Sequence, residues 1–257
     1  MIIQKKSPVL TYCFWTLVAI AVLWACFPIV WMVLTAFRSM QDFFAADVSL
    51  LPQQLTLENF EDVIDRSGFL VYMKNSLIVG VCVTLLSIVI SIMGAFAITR
   101  LDFPGRTLIA RSIIASYLIP PALLFIPLFF LVTRVRLHDS ILSLIITYLS
   151  ATVPFSIWML YGYFSTIPQS LDDAATIDGC NKVQVLTRVL VPLSLPGISV
   201  VTLYSFTLCW NEFLYALVFI TNEASRTIPA GIVVWIVEDS FAWGRLMAAS
   251  SLSVSCT

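Results

Sequence analysis

A short polar segment between two long apolar runs contains the residues whose types and spacing are most informative. They are two acids, two alanines, a third acid, a glycine and a more distant proline: Asp172, Asp173, Ala174, Ala175, Asp178, Gly179 and Pro192. Acids favour the first turn of a helix, alanine forms helix with little bulk, and glycine supplies the left-handed residue that ends one. We expect Ser170 to cap the first helix, with Asp173 completing a capping-box-like pattern. The segment predicts a rigid helix-turn-helix that another surface can approach closely.

A second candidate is an acid inside an apolar run, in the sequence Trp210-Asn211-Glu212. An ionisable residue at membrane depth is costly, so it is by default a candidate for function. The amide and carboxylate can hydrogen-bond the hydroxyls of a polar solute, and the indole can pack on a ring face. An inter-helix polar clamp explains the same residues, and the sequence leaves both alternatives open.

The elements that must position these residues are membrane helices. Of the 257 residues, 60% are hydrophobic and 11% are charged, whereas a soluble domain carries about 25% charged residues. Each helical span needs about 20 apolar residues. We therefore predict an all-α polytopic transmembrane bundle forming one domain over 1–257. Its spans are expected near 12–35, 76–98, 108–132, 140–162 and 198–220, with a partial span at 246–256 and the polar loop at 163–194.

Three details of this topology bear on function. Pro120-Pro121 predicts a bend in the third span, either beside a solute pathway or as a kink in a packing helix. The apolar run from about Val9 to Phe37 is longer than the roughly 7–15 residues of a cleaved signal core, so we expect an uncleaved first span. The partial span 246–256 is about half the needed length, and we expect the absence of a full sixth span to weaken assembly.

Several short motifs, in this order, resemble one family. They are Asn75-Ser76-Leu77, Phe103-Pro104-Gly105-Arg106, Ile119-Pro120-Pro121, Ile167-Pro168-Gln169-Ser170, Ala175-Thr176-Ile177-Asp178-Gly179, Val191-Pro192-Leu193, Trp210-Asn211-Glu212-Phe213 and Thr227-Ile228-Pro229. Together with the acid-Ala-Ala, three residues, Gly, nine residues, aliphatic-x-aliphatic-Pro spacing, they resemble the smaller permease subunit of carbohydrate-uptake ABC importers, the group that contains the maltose permease pair. This chain has Asp173 where that pattern has Glu, which shortens the side chain by one methylene.

The resemblance implies the type I ABC importer permease fold in a bacterial inner membrane, with the N-terminus in the cytosol. The Lys and Arg residues divide seven against seven between the two sides, so the positive-inside rule does not choose an orientation. The resemblance also implies a second homologous permease subunit, two cytosolic ATPase subunits and an extracytoplasmic solute-binding protein. In that assembly the loop around Asp173–Gly179 couples to an ATPase subunit. The substrate pathway is lined by Trp210, Asn211 and Glu212. The binding protein docks on Thr227, Ile228 and Pro229. For the last three residues a helix that merely packs is the alternative.

The expected substrate is a di- or oligosaccharide, with glycerol phosphate or polyols as the alternative. We expect no enzymatic activity, because the chain has no Gly-x-x-x-x-Gly-Lys-Ser/Thr phosphate loop. We expect no bound cofactor, since ATP and Mg²⁺ are used by the partner ATPases, and no metal, since the cysteines have no zinc-like pair spacing. A net charge of −1 indicates no nucleic-acid partner, and the apolar runs indicate membrane lipid around the spans. A membrane-embedded hydrolase would need a nucleophile with a base, or clustered metal ligands. An ion-coupled carrier would show more intramembrane acids and an inverted repeat.

Overall fold

A computed structural model describes residues 8–43, 51–238 and 243–255. The last residue of the predicted partial span, 256, lies outside this part of the chain. The helices up to the polar loop are α1 (Pro8–Ala36), α2 (Met40–Phe43), α3 (Glu58–Glu61), α4 (Phe69–Arg100), α5 (Arg106–Tyr117), α6 (Pro121–Arg134) and α7 (Ile141–Thr166). Those that follow are α8 (Gln169–Ile177), α9 (Lys182–Val185), α10 (Val191–Leu193), α11 (Leu195–Asn211), α12 (Leu214–Phe219), α13 (Ile228–Glu238) and α14 (Trp243–Ser255). The predicted all-α class is confirmed.

Within the described residues, three helices are long and apolar enough to cross a membrane: α1 (from Thr11), α4 and α7. Two further candidates are bent pairs, α5 with α6 at 102° and the segment Lys182–Leu193 with α11 at 79°. Helix α14 has 13 residues, or about 20 Å at 1.5 Å per residue, which is shorter than a bilayer core of about 30 Å.

The predicted span 108–132 is not one helix. Helix α5 ends at Tyr117 and α6 begins at Pro121, because Pro120 and Pro121 have no N–H to continue the backbone ladder. The predicted span 198–220 is also interrupted. Helix α11 ends at Asn211, Glu212 is extended with φ −70° and ψ 123°, and α12 starts two residues later. The apolar length of each span was visible in the sequence, but the interruptions divide both into shorter helices.

Contacts divide the chain into two compact units, residues 1–69 with 232–257 and residues 70–231. The prediction of one domain over 1–257 stays a prediction, and each unit is described by itself. In the first unit α14 packs along α1 and on α3. Asn59 donates from its amide to the carbonyls of Ala36 and Arg38, at 2.9 and 2.7 Å. A Cβ on Gly244 would lie 2.5 Å from the Asn59 side chain, so a residue without a side chain is needed there.

The second unit contains all the predicted site residues. Helices α7 and α11 pack together, and α5 packs on α7. One apolar cluster includes Val83, Leu144 and Phe219, and another includes Leu160 and Leu190. The hydroxyls of Ser87 on α4 and Thr152 on α7 are 2.6 Å apart and buried. This buried hydrogen bond between two side chains links the two long helices.

Candidate functional site

The first helix of the polar loop, α8, begins two residues earlier than the capping prediction required. Pro168 is the residue before the helix, and no side chain caps it. The prediction that Ser170 is the cap was therefore wrong, since Ser170 lies inside the first turn. Proline is well suited to this entry because its ring fixes its own φ, and Pro168 has φ −61° and ψ 135°. Asp172 lies in the first turn, as predicted, where the helix dipole favours a negative charge.

The end of α8 matches the prediction. Gly179 has a φ of +87°, in the left-handed region that favours glycine. Its N–H donates to the carbonyl of Thr176 at 3.0 Å, and the N–H of Cys180 donates to Ala175 at 2.9 Å. These two bonds form a Schellman motif, which satisfies the last carbonyls of the helix. The turn is thereby fixed by its own backbone.

The second part of the loop starts with a capping box that the sequence analysis missed. The Asn181 side chain accepts from the N–H of Gln184, and the Gln184 side chain accepts from the N–H of Asn181, both at 2.9 Å. The Asn-x-x-Gln spacing after Gly179 was the available signal. Helix α9 continues through a π-helical turn, Leu186–Leu190, into α10. Pro192 cannot donate to the carbonyl of Arg188, and the wider turn precedes it.

An ion pair attaches α8 to the long helix α4. The guanidinium of Arg100, the last residue of α4, contacts the carboxylate of Asp172, and the two side chains are 8% and 16% exposed. Arg100 also donates to the carbonyl of Ile167 at 2.8 Å. Beside this pair is an open cavity of about 260 Å³ lined in part by Gln169, Asp173 and Lys182. The helix-turn-helix is therefore connected to a candidate span by a charged contact as well as by the chain.

The outer surface of the loop includes large exposed apolar side chains. Ile177 is 86% exposed and Val183 is 67% exposed. Asp173, Ala174 and Asp178 are exposed beside them, whereas Asp172 and Ala175 are partly buried. Large exposed apolar side chains on a rigid, polar-rimmed segment are typical of a contact surface for another protein.

The three residues predicted for a substrate pathway have different surroundings. Trp210 is 4% exposed and stacks on Phe206 with ring centroids 5.4 Å apart. Asn211 is exposed and donates to the carbonyl of Thr207 in its own helix at 2.8 Å. Within this chain, the indole face of Trp210 is therefore covered.

Glu212 lies at the break between α11 and α12. Its carboxylate accepts from the hydroxyl of Tyr148 at 2.8 Å and from the backbone N–H groups of Tyr215 and Ala216 at 3.1 and 3.3 Å. The acid therefore caps α12 and links it to α7. This contact pattern has the form of the inter-helix clamp that the sequence analysis left as an alternative.

The segment around Thr227, Ile228 and Pro229 is anchored to the start of α4. The Asn75 amide donates to the carbonyls of Ala224 and Arg226, each at 2.9 Å. The hydroxyl of Ser76 accepts from the N–H of Ile228 at 2.9 Å. Thr227 and Ile228 are buried and Pro229 is partly buried, whereas residues 221–224 are exposed. The accessible surface thus precedes the predicted motif by a few residues.

A cavity of about 380 Å³ lies at the break between α5 and α6. It is lined by Ser116, Tyr117, Leu118, Ile119, Pro120, Pro121, Leu124, Ser150, Ala151, Tyr204, Leu208 and Tyr215. Pro120-Pro121 was the signal for it in the sequence. In the part of the chain that the structure describes, no three His, Cys, Asp or Glu side chains are grouped so as to hold a metal ion.

Comparison with known proteins identifies the family. Residues 87–253 match the family described as binding-protein-dependent transport system inner membrane component. The chain belongs to this family. It is 36% identical to an inner membrane ABC transporter permease protein, YcjP, of Escherichia coli K12 over 226 residues, which cover 87% of this chain and 81% of that protein. It is 35% identical to the trehalose/maltose transport system permease protein MalG of Thermococcus litoralis, with 88% and 82% covered.

Other relatives of this permease chain extend the comparison. It is 32% identical to the diacetylchitobiose uptake system permease protein DasC of Streptomyces coelicolor, with 88% of this chain and 82% of that protein covered. The crystal structure of a bacterial ABC transporter that imports the acidic polysaccharide alginate matches with a TM-score of 0.82, covering 100% of this chain and 95% of the matched chain. At 21% identity this likeness shows the fold, which confirms the predicted importer permease architecture.

Proposed function

We propose that this chain is the membrane-spanning permease subunit of an ATP-driven importer for a carbohydrate. In this proposal a solute-binding protein delivers the sugar, a second homologous permease completes the pathway, and two cytosolic ATPase subunits use ATP and Mg²⁺. Family membership supports the transport role. The names of relatives that handle trehalose or maltose and diacetylchitobiose support a sugar as the substrate. Glycerol phosphate or a polyol is the second candidate substrate.

The polar loop is the proposed contact with an ATPase subunit, in a bacterial inner membrane with the N-terminus in the cytosol. The exposed side chains of Ile177 and Val183 support this proposal, because exposed apolar groups rimmed by polar residues are typical of protein contact surfaces. The Schellman motif at Gly179 and the capping box at Asn181 make the segment stiff. The ion pair between Arg100 and Asp172 gives a movement of the segment a direct route to α4.

For the acid between α11 and α12 we favour the clamp over direct sugar contact. All the described contacts of the Glu212 carboxylate go to protein donors on α7 and α12. In this proposal Trp210 and Asn211 still lie beside the substrate pathway, because they are the last two residues of α11. Glu212 then determines the shape of the pathway rather than binding the sugar itself.

For the binding-protein surface we propose that Thr227, Ile228 and Pro229 act as an anchor. The residues that meet the binding protein are the exposed ones before them, such as Asn222 and Glu223. Hydrogen bonds from Asn75 hold this exposed stretch against the start of α4. An anchored loop loses less entropy when a partner binds it.

The experiment that tests the function is ATPase activity of the co-expressed complex in lipid nanodiscs, with the binding protein and a panel of neutral sugars, polyols and glycerol phosphate. Stimulation by a neutral sugar is the expected result. Replacing Ile177→Ser should lower ATPase recruitment to the permease pair and reduce sugar-stimulated activity. Val135→Ser is the matched control, because Val135 is 56% exposed in the turn at the other end of α7. Stimulation by glycerol phosphate or a polyol alone would support the second candidate, and full activity of Ile177→Ser would exclude the proposed contact surface.

A further inference from the structure

We propose that the cavity between α5 and α6 is a subsite of this subunit for one neutral sugar ring. This inference rests on the proposed function as a carbohydrate importer and adds the location and charge class of the ligand. The cavity is bounded by the ends of α5 and α6 and by side chains of α7, α11 and α12. Its volume of about 380 Å³ lies near the lower end of the roughly 300–1,000 Å³ of ligand pockets, which suits a single ring better than a long oligosaccharide.

The backbone at the break provides hydrogen-bond acceptors. In a continuous helix the carbonyls of Tyr117 and Leu118 would accept from residues 121 and 122, but Pro121 has no N–H, and the chain turns before Ala122 can donate to Leu118. Within the described residues, neither carbonyl has a backbone or side-chain donor. At membrane depth such groups are tolerated where they line a polar or water-filled cavity. Sugar hydroxyls are donors of the type that these carbonyls lack.

Aromatic rings form one side of the cavity. The rings of Tyr117 and Phe155 have centroids 5.4 Å apart, and Phe155 and Tyr204 have centroids 4.0 Å apart. Tyr117 and Tyr204 both line the cavity, as does Leu118, whose carbonyl lacks a donor like that of Tyr117. Sugars pack their C–H faces on aromatic rings, and tyrosine adds a hydroxyl at the edge of that apolar surface. The combination of ring faces with backbone acceptors fits a carbohydrate.

The hydroxyl groups of the other polar residues lining the cavity are oriented by hydrogen bonds within the protein. Tyr215 donates its hydroxyl to the carbonyl of Pro121 at 2.8 Å, which fixes the wall at the break. Ser116 and Ser150 donate to carbonyls of their own helices at 2.8 and 2.6 Å, so their oxygens face a ligand as acceptors only. None of the lining residues is charged. A phosphate or carboxylate would lose its hydration there without gaining a cationic partner, so the cavity favours neutral sugars over anionic ones.

The test uses the complete transporter in proteoliposomes and measures the uptake of a radiolabelled sugar that stimulates the wild-type ATPase. Removing the ring with Tyr204→Leu should lower the uptake rate about tenfold, the effect of one lost aromatic contact. Tyr204→Phe keeps the ring and should retain most of the uptake. Ala151→Phe fills the cavity from α7 and should abolish uptake. Tyr161→Leu is the matched control, because Tyr161 is a partly exposed tyrosine of α7 that lines a different cavity.

Binding-protein docking and ATPase activity without sugar should be unchanged in all four variants, which distinguishes loss of the subsite from failure to fold. Wild-type uptake by both Tyr204→Leu and Ala151→Phe would overturn the inference and leave the proposed function intact. A wild-type complex that takes up glycerol phosphate but no neutral sugar would overturn both. A photoreactive neutral sugar that labels residues 116–121 and is displaced by unlabelled sugar would support the subsite independently of the rates.

Discussion

The guanidinium of Arg100, at the end of the long helix α4, forms an ion pair with Asp172 in the first turn of α8. The same guanidinium donates to the carbonyl of Ile167, at the junction between α7 and α8. One side chain therefore connects two candidate spans and the loop proposed to meet the ATPase. A displacement of α8 changes the energy of this contact directly, so a movement of the loop would act on the spans through this pair.

Breaking the ion pair between Arg100 and Asp172 should destabilise the protein. Asp172→Asn leaves the guanidinium of Arg100 largely buried without a charge partner, and we expect the free energy of unfolding to fall by about 3 kcal/mol. The double variant with Arg100→Met should cost less than the sum of the two single changes. Thermal unfolding of the purified chain in detergent measures the stability, and uptake by the full complex measures the coupling. The control is Asp102→Asn, which breaks an exposed pair with Arg106 at 3.0 Å and should leave stability nearly unchanged, because solvent screens an exposed pair. Equal losses in the two variants would show that burial of the pair does not matter.

Gly179→Ala should weaken the turn of the loop. The left-handed conformation costs an alanine about 1 kcal/mol, although a Cβ there would meet no atom within 4 Å. We expect a small fall in the unfolding temperature and a larger fall in sugar-stimulated ATPase activity. Gly162→Ala is the matched control, since its Cβ would also meet nothing within 4 Å but the site lies inside helix α7. That variant should be neutral or slightly stabilising. Normal stimulation in Gly179→Ala would mean that the turn is not needed for coupling.

Variants of Glu212 should separate the clamp from direct sugar contact. Glu212→Ala removes the acceptor of two backbone N–H groups and of the Tyr148 hydroxyl, and we expect a loss of about 2–3 kcal/mol in stability. Glu212→Gln keeps an acceptor oxygen and should retain most of the stability and uptake. Tyr148→Phe removes one of the bonds and should cost about 1 kcal/mol. If Glu212→Gln stays stable but loses uptake, the charge acts on the substrate, and the clamp alone is insufficient.

Asp139 predicts a dependence on acid pH. Its carboxylate accepts from the N–H of Asn222 at 2.7 Å and of Thr221 at 2.8 Å. These bonds, with Asn222 contributing most, lower the pKa of Asp139 below its usual value of 3.8. A lowered pKa means that the contact stabilises the fold at neutral pH and that the gain is lost as the pH falls through the folded-state pKa.

Wild-type protein should therefore unfold at a higher temperature than Asp139→Asn at pH 7, and the difference should shrink below pH 3.8. Asparagine is the appropriate replacement, because Asp139 has a φ of +64° and asparagine tolerates that region. Unfolding temperatures between pH 3 and 7 measure the effect. A difference that is constant over this range would show that the charge of Asp139 is not what holds residues 221 and 222.

Local features of this protein were determined by its sequence. The apolar lengths indicated the helical class, and the glycine after Ala174-Ala175 predicted the left-handed turn now seen at Gly179. Two adjacent prolines predicted the bend at Pro120-Pro121. The ordered motifs resembled the family that the comparisons confirm. Each turn, bend and motif depends on residues within a few positions of one another, and the order of the motifs is read directly along the chain, so a single sequence is sufficient to recognise them.

The tertiary structure decided which distant groups meet. Tyr148 and Glu212 are 64 residues apart in the chain, and Arg100 reaches Ile167 across 67. Whether an acid in an apolar run clamps two helices, or a proline bend opens a cavity beside Tyr204, depends on how the helices pack. Apolar spans of this kind fix the length of each helix but carry little information about its rotation or neighbours, because most of their faces are equally hydrophobic. The contacts that give this chain its candidate sites therefore appear once the helices are assembled.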